Sequence, residues 1–191
     1  SLTAAGVTVF YSSGNDGTTH TIENNVMVRR GYDPNGTTSP FYPASMPYVT
    51  GVGGTTVAFE RTGIGPASLP VREGAWTLSN LNDGGNLASS GGVSLYFERP
   101  VWQVAPGMPD GNKRCVPDVA AMASSNFPRY YQFLGRPFTA GGTSAASPIW
   151  AGLCALINQA LKDEGLSPVG LLGPKIYPLV NTPAFNQMTT G

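Results

Sequence analysis

Charge is scarce in this sequence: Asp, Glu, Lys and Arg together make up 12% of the residues and sum to a net charge of zero. That is about half the usual charged share. No basic tract is present, which excludes a nucleic-acid partner, because binding phosphates needs clustered Lys and Arg. No apolar run approaches the ~20 residues of a membrane span, so no membrane partner is expected either. Few carboxylate pairs are available to be lost when pH falls, which suits a secreted, extracellular or acidic setting. No signal segment is visible. The chain opens on Ser1 rather than Met, and targeting information is expected to lie upstream. There are two cysteines, Cys115 and Cys154, which spacing alone does not sort. Cys154 falls in an apolar helical stretch and reads as a buried small hydrophobe, while a bridge to Cys115 stays open.

What is present suffices for one domain with a core: 191 residues, 41% of them hydrophobic, with 25 Gly and 17 Pro marking a loop-rich chain. The first residues read as a helix end, a stop at Gly6, a buried strand over 7–11, and a turn of small residues, Ser12-Ser13-Gly14-Asn15-Asp16-Gly17. A helix–Gly–strand joint belongs to a layered α/β protein. Nothing ahead of it could begin a domain, so the chain is expected to be part of a larger one. Residues 18–45 read as a polar surface excursion. The sequon-like Asn35-Gly36-Thr37 within it is a glycosylation acceptor or a chance match. Strands are expected over 48–54, 55–59 and 117–121, and a small hairpin over 130–138 around Gly135. From Pro148 the apolar residues Ile149, Trp150, Leu153, Leu156, Ile157, Ala160 and Leu161 recur at helical spacing, with Ala151, Cys154 and Ala155 on the other faces. A helix apolar on most sides is expected to be buried, with Gly165 as its C′ residue. A second short helix is expected over 171–177. Trp76, Trp102 and Trp150 read as core.

Gly141-Gly142-Thr143-Ser144-Ala145-Ala146-Ser147-Pro148 sets a serine among small residues at the start of that helix. The glycines let a bound peptide approach the backbone, and Pro148 fits a first helical turn, where an N–H is dispensable. A serine there faces unpaired N–H groups and the positive end of the helix dipole, which is where a developing oxyanion is stabilised. On local chemistry alone, Ser144 or Ser147 acting as a plain N-cap explains the segment equally well.

The Gly-Thr-Ser-Ala-Ala-Ser-Pro segment followed by an apolar helix resembles the nucleophile segment of the subtilisin-like clan of serine peptidases. Four further stretches resemble its sedolisin branch, the serine-carboxyl peptidases. They are the strand into Ser13-Gly14, the run from Phe41-Tyr42-Pro43-Ala44-Ser45 to Gly53-Gly54-Thr55, the run from Ser90-Gly91-Gly92 to Arg99-Pro100-Val101-Trp102-Gln103, and Val116-Pro117-Asp118-Val119-Ala120-Ala121. The resemblance implies an α/β fold, a subtilisin-like three-layer sandwich with a mostly parallel sheet. Residues 1–191 would be the C-terminal portion of that single catalytic domain. It implies hydrolysis of peptide bonds in polypeptide substrates through an acyl-enzyme on Ser144. A Glu/Asp pair from the upstream half would serve as base and orienter, leaving this portion inactive alone.

The resemblance also carries departures. The oxyanion aspartate expected after Ser13-Gly14 is replaced by Asn15, with Asp16 one place later. Either Asn15 fills the oxyanion position, as an amide that donates at any pH, or the turn has shifted to Asp16; the preserved spacing favours Asn15. Ser12, Ser13, Gly14 and Thr143 are expected to contact substrate. Residues 90–92 run along the cleft or form a glycine-rich corner, and Asp118 is expected to bond backbone N–H groups in its own turn. His20 reads as a solvated loop residue, not a base. Phe185-Asn186-Gln187-Met188 resembles the start of the family's calcium segment. Gln187 stands where an acidic ligand is expected and Met188 where the next carbonyl would bind, so calcium binding is doubtful. Two rivals remain, a catalytically inactive pseudopeptidase acting as a binding or structural module, and an ordinary Asp-His-Ser subtilisin.

Overall fold

The computed structural model describes residues 2–17, 20–23, 26–29, 40–60, 69–79, 86–124 and 130–188. The sequon at Asn35 lies outside them. In chain order the elements are β1 (Phe10–Ser12), β2 (His20–Glu23), β3 (Val26–Arg29), α1 (Tyr42–Ser45), β4 (Thr50–Glu60), β5 (Leu69–Ala75), β6 (Thr77–Ser79), β7 (Asn86–Ala88), β8 (Gly92–Glu98), β9 (Lys113–Val116), β10 (Val119–Met122), β11 (Tyr130–Phe133), β12 (Arg136–Thr139), α2 (Thr143–Asp163) and α3 (Gly173–Ile176). The central sheet runs β1-β4-β10, all parallel, with β5 folded back antiparallel on the far half of β4. Short hairpins decorate it. In β11–β12 the two-residue turn puts Leu134 at φ 49° and Gly135 at φ 75°, the double positive φ that such turns require.

Strand β4 is rich in glycine because its neighbours press in closely. A Cβ on Gly54 would sit 2.5 Å from Ala123 Cβ, and one on Gly53 would sit 2.7 Å from Pro117 Cγ. Helix α2 lies across β1, β4 and β10. The core between them is Val52, Val119, Ala146, Leu172 and Ile176, with Phe10, Trp150 and Tyr177 packed against it. This is the expected α/β layering, seen as a partial domain.

Three expectations about α2 meet the structure differently. The helix begins at Thr143 rather than at Pro148, because Gly142, at φ 81°, turns the chain and its carbonyl accepts the Ala145 and Ala146 N–H groups. Pro148 is therefore interior, one turn in, and its missing N–H leaves the Ser144 carbonyl without its helical donor. The helix is also not buried on most sides. Ala145, Ala146 and Cys154 are buried, but Ile149, Leu153, Leu156 and Ile157 form a stripe at helical spacing that is 38–65% exposed. A helix apolar around its whole girth needs a neighbour on each side, and the described residues supply one, the sheet. The C-terminus is as expected. Gly165, at φ 73°, donates to Lys162 O and Leu166 N–H to Leu161 O, the paired bonds of a Schellman end.

Asp118 accepts a backbone N–H, but not one in its own turn: the donor is Gly51 on β4, at 2.8 Å, and the sequence did not announce its main partner. Arg114 pairs with it at 2.5 Å, both side chains almost fully buried. Cys115 and Cys154 are both free thiols, and the buried-thiol reading of Cys154 holds. No described helix is long and apolar enough to cross a membrane.

Candidate active site

The carboxyl end of β1 and the amino end of α2 meet at a pocket of about 290 Å³, lined by Tyr11, Ser12, Gly14, Asn15, Asp16, Phe41, Leu87, Thr143 and Ser144. Ligands of open parallel sheets bind at this end of the strands. Ser144 is exposed on the first turn of α2, where backbone N–H groups have no intrahelical acceptor. The N-cap residue is Gly142, which has no side chain, so neither Ser144 nor Ser147 serves as an N-cap, and Ser144 lines the pocket.

Across from it, the turn after β1 is built from close contacts. Gly14 takes φ 109°, and a Cβ there would strike Ser90 Oγ at 2.9 Å. Ser90 is buried, donates its N–H to Gly14 O and accepts the Asp16 N–H on its hydroxyl. The Asn15 side chain reaches the helix: its Oδ1 accepts the Thr143 N–H at 2.9 Å and lies 2.9 Å from Thr143 Oγ1. An N–H donor requires an oxygen, so the Nδ2 end of the amide is the one left for the pocket.

Of the residues expected to contact substrate, the structure brings Ser12, Gly14 and Thr143 to the pocket together with Ser144 and Asn15. Ser13 is excluded. It is fully buried, its N–H bonds Val52 O, and its hydroxyl has no partner among the described residues. Residues 90–92 do not line this pocket, and Gly91 packs tightly, since a Cβ there would meet Val116 O at 2.8 Å. Asp16 shares the pocket with Asn15. His20 falls on β2, with its side chain outside the described residues. Tyr11, Phe41 and Leu87 also line the pocket and carry no signal in the sequence, since Tyr11 has the same strand parity as the buried Ser13.

The calcium segment fits poorly. Gln187 is exposed, and its Nε2 donates to Asn181 Oδ1 at 2.8 Å. Among the described residues no cluster of three or more His, Cys, Asp or Glu could hold a metal ion. Gln187 and Met188 instead line a cavity of about 510 Å³ with Trp150, Ile176, Tyr177 and Phe185. The segment itself offers only neutral oxygens, with Asn186 and Gln187 as its polar side chains, a poor match for a cation that takes six to eight hard oxygens.

Residues 1–171 match the Subtilase family. Among curated relatives, kumamolisin of Bacillus sp. (strain MN-32) is 34% identical over 98% of this chain and 30% of its own length. Sedolisin of Pseudomonas sp. (strain 101) is 38% identical over 82% of this chain and 25% of its own length. The solved structure of Pseudomonas sedolisin, a serine-carboxyl proteinase complexed with two molecules of pseudo-iodotyrostatin, superposes with a TM-score of 0.73 at 32% identity. That match covers 96% of this chain and 46% of that one. The chain thus spans less than a third of the curated relatives' length and under half of the solved neighbour's. With a serine on the first turn of the helix, an amide-bearing turn facing it, and these matches along nearly all of its length, the chain belongs to the subtilase family, in its sedolisin branch.

Proposed function

We propose that this chain supplies the nucleophile and oxyanion side of a serine peptidase, hydrolysing peptide bonds of polypeptides through an acyl-enzyme on Ser144. The observation that carries the reading is the pairing of an exposed Ser144 at the N-terminus of α2 with an Asn15 amide whose oxygen is tied down and whose NH₂ is not. The Ser144 N–H and the Asn15 NH₂ are the two donors for the oxyanion. The Asn15 alignment is preferred to the Asp16 one because it is Asn15 that reaches the helix carrying the serine.

The general base comes from outside this chain. Among the described residues the titratable groups lining the pocket are Asp16 and Tyr11, and the resemblance places a Glu/Asp pair upstream. The half-exposed apolar stripe on α2 is the surface on which that upstream half packs. A secreted or acidic setting follows from the same resemblance and from the sparse charge.

A fluorophosphonate probe on the full-length protein tests the nucleophile. Stoichiometric label on the peptide containing Ser144 is expected, and an unlabelled but folded protein would move the assignment to the pseudopeptidase reading. The donor role of Asn15 has its own test. Asn15→Ala is expected to lower kcat by roughly 10²–10³-fold, the usual cost of one oxyanion donor, with KM little changed. An unchanged kcat in steady-state assays removes Asn15 from the mechanism.

A further inference from the structure

Thr143 joins the two sides of the pocket, and all of its polar atoms on that side are engaged. Its N–H and its hydroxyl both meet Asn15 Oδ1, each at 2.9 Å. The same hydroxyl accepts the Gly14 N–H at 3.1 Å and lies 3.1 Å from Gly14 O. A hydroxyl has one proton, and the shorter contact points it at Asn15. Thr143 is fully buried, so water does not compete for these bonds. Gly142 closes another side, since a Cβ there would lie 2.9 Å from Asn15 Oδ1 and 3.1 Å from Nδ2.

We infer that Thr143 is a positioning residue that fixes which end of the residue-15 side chain faces Ser144, and that this two-donor clamp matches the pocket to an amide rather than an acid. The inference rests on the reading that Ser144 attacks and Asn15 holds the oxyanion. Two donors converging on one oxygen leave Asn15 a single orientation, NH₂ toward the reacting carbonyl. Were the residue a carboxylic acid, the same donors would favour its ionised form. An ionised carboxylate accepts hydrogen bonds and cannot donate one to an oxyanion. With an amide the clamp assists at every pH; with an acid it would confine activity to the acidic range.

The test compares kcat–pH profiles of the full-length protein for wild type, T143V, T143S, N15D and N15D/T143V, with melting curves as folding controls. T143V is expected to lower kcat roughly 10-fold with KM within about twofold, because the amide can now turn away. T143S, which keeps the hydroxyl, should restore it. N15D is expected to work only on the acid side. Adding T143V should move its falling limb upward by roughly one pH unit, as one of two bonds to the charged form is lost.

The other titratable groups lining the pocket around position 15 are Asp16 on the same turn and Tyr11 on β1, while Phe41 and Leu87 are apolar and the first turn of α2 has no acidic residue. These are common to N15D and N15D/T143V, so the difference between the two limbs isolates the clamp. Coincident limbs in a wild-type background that takes the fluorophosphonate label would overturn the inference while leaving the nucleophile intact. A wild type that takes no label removes both. Should T143V fail to fold, T143C fills the same place with a poor donor and reads out the same shift.

Discussion

Replacing Ser144 by alanine in the full-length protein is expected to cut kcat by about 10⁶-fold, close to the whole of what the nucleophile and its base contribute together. The groups of such a site act as a unit. Without the hydroxyl, the proposed base has no proton to take, and only oxyanion stabilisation and substrate positioning remain, worth roughly 10³–10⁴ over the uncatalysed rate. The Ser144 N–H survives the substitution, as does Asn15 with its oxygen on Thr143, so the residual rate should still respond to Asn15→Ala. KM should move little, because the serine side chain is exposed at the pocket rim and contributes to the transition state rather than to ground-state binding. Fold is not at risk, since no capping bond from Ser144 is lost. Progress curves with a peptide substrate decide the matter: a Ser144→Ala protein within tenfold of wild type would mean that the hydrolysis observed is not performed by this residue.

The sequence was most legible where chemistry depends on order along the chain. Ser144 and Asn15 each sit in a short stretch of small residues, and the fold brings the two stretches to one pocket. Gly165 was readable for the same reason, since a C′ glycine announces itself within one turn. The reading went wrong where the answer lies across the fold. Adjacency to Ser12 and Gly14 puts Ser13 among the substrate contacts, whereas its bond to Val52 O on β4 goes with a fully buried side chain. Pro148 signals a helix start because proline is commonest there, yet Gly142, at φ 81°, lets the helix begin at Thr143. The apolar periodicity of α2 was real, but periodicity reports what a helix would bury when all its neighbours are present. Here Leu156 is 65% exposed. Thr143 was assigned to substrate by its place beside the serine. That its hydroxyl crosses to a residue 128 positions away is a tertiary fact no local pattern encodes. Arg114 was missed altogether, because a lone arginine in a polar stretch is ordinarily a surface residue.

Arg114 and Asp118 carry the second large effect, this time on stability. Asp118 Oδ1 accepts from Arg114 Nη1 at 2.8 Å, from the Tyr177 hydroxyl at 2.9 Å and from Gln103 Nε2 at 3.2 Å. Its Oδ2 accepts from Arg114 Nη2 at 2.5 Å and from the Gly51 N–H at 2.8 Å. The guanidinium also lies 5.4 Å from the Trp102 ring centroid, and the Trp102 and Tyr177 rings lie 5.2 Å apart. Burial first, and the Asp118 charge second, push the Tyr177 phenol above the ordinary tyrosine range, so it stays a neutral donor. One carboxylate thus ties the start of β4, the β9–β10 turn, the loop at Gln103 and the end of α3 together. Removing it by Asp118→Ala leaves a fully buried guanidinium without its counter-charge, which costs about 3–5 kcal/mol, a large fraction of a typical domain's 5–15 kcal/mol. Arg114→Met should cost less, because Gly51, Gln103 and Tyr177 still donate to the stranded carboxylate. The double variant Arg114→Met/Asp118→Leu should recover much of the loss, since no buried charge then remains. Denaturant midpoints of the full-length protein at constant m measure all three. A double variant no more stable than Asp118→Ala alone would show that the pair contributes through the geometry it imposes, not through the charges it neutralises.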